Sequence, residues 1–182
     1  DGAFDPAIGA VVDLWGFGAV AAERLPPDPA ALAAARAAGG WRRLGFDRAT
    51  ARLHQPGGVR LDLSAIAKGH AVDRVAALLH DAGFPAFLLE IGGELRGEGL
   101  RPDGQPWWVD VEPPPGCPLP RTRIGLTGLS VATSGDYRRF HAVDGRRLAH
   151  TLDPRTGTPV SNAPPSVSVL HDQAMLADAW AT

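Results

Sequence analysis

Strand-forming segments outnumber helical ones along this chain, and several are joined by tight polar turns. Antiparallel strands can be closed by a turn of a few residues, whereas parallel strands need long crossovers. The run WRRLGFDRATARLHQPGGVRLDL (41–63) reads as short strands with polar turns at Asp47-Arg48 and Pro56-Gly57-Gly58. FPAFLLEIGG (84–93) predicts an apolar strand ending in two glycines. PWWVDVE (106–112), TGLSVATSG (127–135) and SVSVL (166–170) predict further strands, and PPPGCPLP (113–120) a loop. Helices are fewer. Asp28-Pro29 supplies a cap and a first-turn proline for AALAAARAA, which Gly39-Gly40 stops. A second helix is expected from near Ser64, with Ile66, Gly69, Val72, Ala76 and Leu79 on one face and Gly83 past its end. A third is expected from near Asp172 through QAMLADAWAT. The expected class is therefore α+β, with mixed, largely antiparallel sheets flanked by helices, rather than a doubly wound sheet.

At 182 residues the chain suits one domain, or one compact body with two lobes. A net charge of −2 gives no general attraction to nucleic acid or to an anionic membrane surface. An acidic substrate must then be held by local devices such as a metal, a helix end or single cations. No apolar run approaches the roughly 20 residues of a membrane span. The chain opens at Asp1 without a Met and stops at Thr182 inside an expected helix, so it reads as a fragment truncated at both ends. On that reading the compartment stays open between an extracytoplasmic, membrane-associated location and the cytoplasm. The lone Cys117 lies in the Pro-rich loop and reads as incidental.

Five stretches could carry chemistry, and each also has a plain structural reading. GAFDPAIGAVVDLWGFG (2–18) offers glycines and aromatic surface, as a ligand site or as a turn-rich buried hairpin. In LDLSAIAKGHAVD (61–73), Asp62, Lys68 and His70 crowd a helix start whose N–H groups and dipole suit phosphate; the alternative is a cap beside an exposed Lys. The spacing of a P-loop is absent, and no GxGxxG follows Gly92-Gly93, which argues against a Rossmann enzyme. VATSGDYRRF (131–140) presents hydroxyls beside Gly135 at a strand end, for phosphate, a flavin edge or a turn. HTLDPRTGTPV (150–160) has a turn signature at 153–157, preceded by His150, whose weight depends on what converges on it. ADAWAT (177–182) puts Asp178 and Thr182 at i and i+4. With a backbone carbonyl they would form an all-oxygen set suited to Mg²⁺, or else they are an exposed Asp and a helix-terminal Thr. No Cys/His cluster suggests zinc.

Taken together and in this order, GAFDPAIG…LWGFG, DLSAIAKG, LLEIGGELRG, TSGDYRRF, HTLDPRTGTPV and ADAWAT resemble the ApbE family of FAD:protein FMN transferases across essentially the whole chain. The resemblance implies a T-fold-like flavin transferase core. It implies Mg²⁺-dependent transfer of FMN from FAD, the substrate, to a Ser or Thr of another protein, with release of AMP. The alternatives are an FAD pyrophosphatase and a non-catalytic FAD carrier. Ala3, Phe4, Asp5, Asp62, Lys68 and Leu152 resemble residues of the FAD pocket. Ala65 resembles the position offering a carbonyl to Mg²⁺, with Asp178 and Thr182 as side-chain ligands, and His150 resembles the base. The implied partners are flavin-accepting subunits of membrane redox complexes. Two positions depart from the pattern. Ala181 stands where some relatives have a second Asp, giving a leaner metal set, and His70 stands where an aromatic is common.

Overall fold

A computed structural model describes residues 2–161 and 164–182. Along the chain, α1 (Gly9–Leu14) and α2 (Pro29–Ala38) precede β1 (Gly45–Asp47) and β2 (Arg52–His54). The long α3 (Ala67–Asp81) leads into β3 (Phe87–Ile91), β4 (Glu94–Glu98), β5 (Trp107–Val111), β6 (Thr122–Leu126) and β7 (Leu129–Gly135). Then come β8 (Phe140–Val143), β9 (Arg146–Ala149), β10 (Leu152–Asp153), β11 (Thr158–Pro159), β12 (Ser166–His171) and α4 (Ala174–Ala181). Every strand pair among the described residues is antiparallel, so the α+β expectation holds.

These elements form two compact units, Asp1–Leu63 with Arg139–Ala163, and Ser64–Arg138 with Pro164–Thr182. The first is built from three hairpins (β1–β2, β8–β9 and β10–β11) and two helices. Its core is Val11, Val12, Trp15, Phe17 and Leu152, with Leu25, Leu32 and Leu148 packed around them. The indole N–H of Trp15 donates to the Gly157 carbonyl at 2.8 Å, giving the buried ring's polar edge a partner. Gly157 ends the 153–157 turn at φ +71°, a conformation that costs a residue with Cβ. The Asp28 carboxylate accepts from the Ala30 and Ala31 amides at 2.9 and 3.1 Å, and Gly39 follows the last turn of α2.

The opening stretch departs from the hairpin reading. Residues 9–14 are helical because Val11, Val12 and Trp15 bury one face of a single turn, a pattern too short to show as periodicity. The segment 59–63 forms no strand either. Two separate backbone bonds pin it instead, Gly9 N–H to Arg60 O at 3.0 Å and Asp62 N–H to Pro6 O at 2.8 Å.

The second unit is a four-stranded sheet in the order β12-β7-β4-β3, with the β5–β6 hairpin beside it. α3 and α4 pack on this sheet. Ala132 of β7 meets Ala177 and Ala181 of α4, with Val169 of β12 against them. The small side chains let the helix lie close to the strands, where dispersion contacts are densest. α3 starts at Ala67 rather than Ser64, because residues 64–66 form a turn.

Candidate functional site

α3 and α4 cross closely because small residues meet at the crossing. Gly69, Val72 and Ala76 are the buried positions of α3; Ala174, Ala177, Asp178 and Ala181 are those of α4. A Cβ on Gly69 would lie 2.3 Å from the Ala174 carbonyl oxygen, so only glycine allows this approach. The crossing brings each helix start to an aspartate of the other helix. Asp178 Oδ2 accepts from the Gly69 amide at 3.0 Å. In return, Asp73 Oδ1 and Oδ2 accept from the Ala174 and Met175 amides at 2.8 and 2.9 Å. Neither N-cap residue, Ile66 or Gln173, makes a side-chain cap bond, so these two carboxylates stand in for the missing caps. The Gly69 amide, at the helix start whose free N–H groups suit phosphate, is bonded in this structure to the Asp178 carboxylate.

Lys68, in the first turn of α3, closes the cluster. Its ammonium lies 3.2 Å from Asp178 Oδ1 and 3.1 Å from Glu94 Oε1. Asp178 and Glu94 are 1% and 2% exposed, so two buried carboxylates face one ammonium. Glu94 Oε2 is buried without a hydrogen-bond partner, which leaves one carboxylate oxygen of the site unsatisfied. Burial pushes the Glu94 carboxyl above its usual range; Lys68 partly offsets this and the charge of Asp178 adds to it. Burial works against the charged Lys68, but Asp178 and Glu94 outweigh it and hold the ammonium above the ordinary lysine value.

Thr182 Oγ1 donates to the Asp178 carbonyl one turn back at 3.3 Å and lies 3.2 Å from Ser134 Oγ of β7. Thr133 Oγ1 and Ser168 Oγ pair at 2.8 Å across β7 and β12. The structure thus brings together Lys68, Asp178 and Thr182, and adds Glu94 and Ser134. Ala65 lies in the turn leading into α3. No group of three or more His, Cys, Asp or Glu residues is arranged to hold a metal among the described residues. Asp178, Thr182 and the Ala65 carbonyl offer oxygen donors alone and one carboxylate charge, a set whose chemistry fits a hard cation; the partnerless oxygen beside them belongs to Glu94.

Glu94 is the site residue that the motif reading left without a role. Its signal in the sequence was faint, a carboxylate directly after Gly92-Gly93 at the start of a short strand. Arg96, two residues on, also points inward. It pairs with Glu98, lies 3.6 Å from Asp73 Oδ1 and 3.3 Å from Ser130 Oγ, and donates to the Asp172 carbonyl. It thereby supports the Asp73 that caps α4.

The other expected site residues lie in the first unit. Asp5 accepts from the Ala7 amide at 2.8 Å and from the Trp41 amide at 3.1 Å, so both its oxygens organise the opening loop. Ala3 and Phe4 of that loop are exposed. Asp62 is held through its backbone to Pro6. Leu152 is buried in the core against the α1 residues and Phe17. His150 Nδ1 lies 3.0 Å from the Arg139 carbonyl, and its ring stands edge-on to Phe17 at 6.2 Å. A carbonyl only accepts, so Nδ1 carries the proton and Nε2 is the basic nitrogen of the neutral ring. His141 stacks on Phe17 with ring centroids 4.4 Å apart.

The antiparallel sheet with its paired helices is the fold of solved flavin transferases. A flavinyl transferase from Pseudomonas stutzeri matches with a TM-score of 0.88 at 40% identity, covering all of this chain and 56% of that one. A flavin transferase from Vibrio cholerae matches with a TM-score of 0.86 at 39% identity, covering 98% of this chain and 57% of that one. The family model described as "ApbE family" matches residues 1–182, and the chain belongs to that family. Among curated relatives, the FAD:protein FMN transferases of Haemophilus influenzae and Vibrio cholerae are 38% and 41% identical over the whole of this chain. The chain spans about half the length of the curated relatives it matches, 54% of each of these two.

Proposed function

We propose that this chain is the catalytic core of an FAD:protein FMN transferase, which moves FMN from FAD to a Ser or Thr hydroxyl of another protein and releases AMP. Family membership and the printed activity of the relatives support this reading. The observation that carries it is the buried Asp178 held at the start of α3 beside Lys68, with Thr182 one turn away. Asp178, Thr182 and the Ala65 carbonyl would hold Mg²⁺. Mg²⁺ bound there would supply positive charge that offsets the charge of the FAD phosphates and makes AMP a better leaving group. Ala3, Phe4, Asp5, Asp62, Lys68 and Leu152 would be the FAD-binding residues on this reading. His150 Nε2 takes the proton of the acceptor hydroxyl. The hydroxyl oxygen then bonds to the FMN phosphorus as the bond to the AMP oxygen breaks. The acceptors would be flavin-bearing subunits of membrane redox complexes.

The test is to incubate the protein with FAD, Mg²⁺ and a candidate acceptor, then measure AMP and the acceptor's intact mass. AMP release should accompany an acceptor heavier by FMN less water, and chelation should stop both. Release of AMP with free FMN and an unmodified acceptor would instead identify a pyrophosphatase. FAD bound and recovered intact would identify a carrier.

A further inference from the structure

We propose that Lys68 is a resident counter-ion that yields Asp178 to a divalent cation, and that Glu94 is the positioning residue that receives it. The proposal rests on the metal-binding reading of Asp178 above. Three features carry it. Asp178 is buried and its Oδ2 is tied to the Gly69 amide, so Oδ1, the oxygen facing Lys68, is the one available for exchange. The Lys68 side chain is 41% exposed and sits on a flexible stem, so it is the partner able to move. Glu94 offers the place to move to. Its Oε1 already accepts from Lys68, and its Oε2 is buried and lacks a donor. An ammonium has three N–H groups, so turning from Asp178 towards Glu94 exchanges one charge-assisted bond for another and satisfies the orphaned oxygen.

The turn before Glu94 is shaped for this stem. A Cβ on Gly92 would lie 3.0 Å from Lys68 Cδ, so the glycine leaves room for the lysine to lie across the turn and reach the carboxylate. In the absence of the divalent ion, Lys68 keeps Asp178 from being a buried uncompensated charge. In its presence, Glu94 keeps Lys68 from being repelled into a competing position.

Mn²⁺ binding in the absence of FAD, followed by electron paramagnetic resonance, tests this without reference to turnover. Lys68→Gln should tighten Mn²⁺ binding, because the competitor is gone. Glu94→Gln should weaken it by roughly threefold or more, the scale of coupling between contacting residues. In the Lys68→Gln background, Glu94→Gln should have little further effect, because Glu94 acts through the lysine. Glu94→Asp keeps the charge but shortens its reach, and should also weaken Mn²⁺; this variant carries the test if Lys68→Gln does not fold. An equal Glu94→Gln penalty in both backgrounds, or wild-type affinity in Glu94→Asp, would mean that Glu94 acts by charge alone, and the proposal fails. Wild-type protein that binds no Mn²⁺ overturns the metal reading as well, whereas ordinary wild-type binding left unchanged by Lys68→Gln overturns the exchange only.

Discussion

The Arg139 carbonyl fixes the tautomer of His150, and with it the nitrogen that can act as a base. His150→Asn keeps a polar group at the position but removes the basic atom. FAD affinity should stay near wild type while the transfer rate falls about 10²–10⁴-fold, the usual worth of general-base catalysis. An unchanged rate in single-turnover experiments would leave His150 a structural residue of the β8–β11 region. Glu94 makes a different prediction, about pH. Its carboxyl is raised in the folded state, chiefly by burial, so folding takes up a proton between its ordinary value and the raised one. The stability that this uptake contributes is fully present below the ordinary glutamate value and is lost as pH rises through the raised value. Glu94→Gln, which mimics the protonated form, should flatten that slope in urea titrations from about pH 4 upward in chelator. Parallel profiles for the two proteins would show that Glu94 titrates alike in both states.

Among the elements, those specified by local chemistry were legible in the sequence and those specified by distant partners were not. α2 follows from its Asp-Pro start and Gly-Gly stop, and Asp28→Ala should cost about 1 kcal/mol of unfolding free energy. β4 carries three charged residues and a glycine in five positions, a pattern with no strand signal; it becomes a strand because β3 and β7 flank it on both sides. The β8–β9 hairpin, with its Arg-rich second arm, was hidden in the same way. The site shows the same division. The Asp178–Thr182 spacing is visible along one helix, as is the place of Lys68 near a helix start. Glu94 was not legible, because what makes it a site residue is a lysine on another element. Gly69 read only as part of a helix face, yet the crossing of α3 and α4 depends on it. Gly69→Ala would push a methyl group into the Ala174 carbonyl. It should destabilise the protein by about 1–3 kcal/mol or more, despite alanine's better helix propensity, and weaken Mn²⁺ binding with it.

At the scale of the whole molecule, ligand binding should appear as stability. FAD with Mg²⁺ should raise the unfolding midpoint, by about 2.7 kcal/mol of free energy at a hundredfold excess over Kd. Asp178→Asn should lose more of the Mg²⁺-dependent part than Thr182→Val, since it removes the charge. A midpoint in Asp178→Asn that responds to Mg²⁺ as the wild type does would remove that residue from the metal site. The reciprocal aspartate caps also have a consequence for how the chain is made. The Gly69 amide and its carboxylate are 109 residues apart in sequence, and Asp73 lies 101 and 102 residues from the amides it caps. At translation rates of about 5–20 residues per second, α3 emerges from the ribosome on the order of ten seconds before α4. During that interval Lys68 and the start of α3 lack Asp178, and the sheet lacks β12 at its edge. The nascent chain therefore passes through a state with an uncapped helix and an open strand edge, which closes only when α4 and β12 have been made.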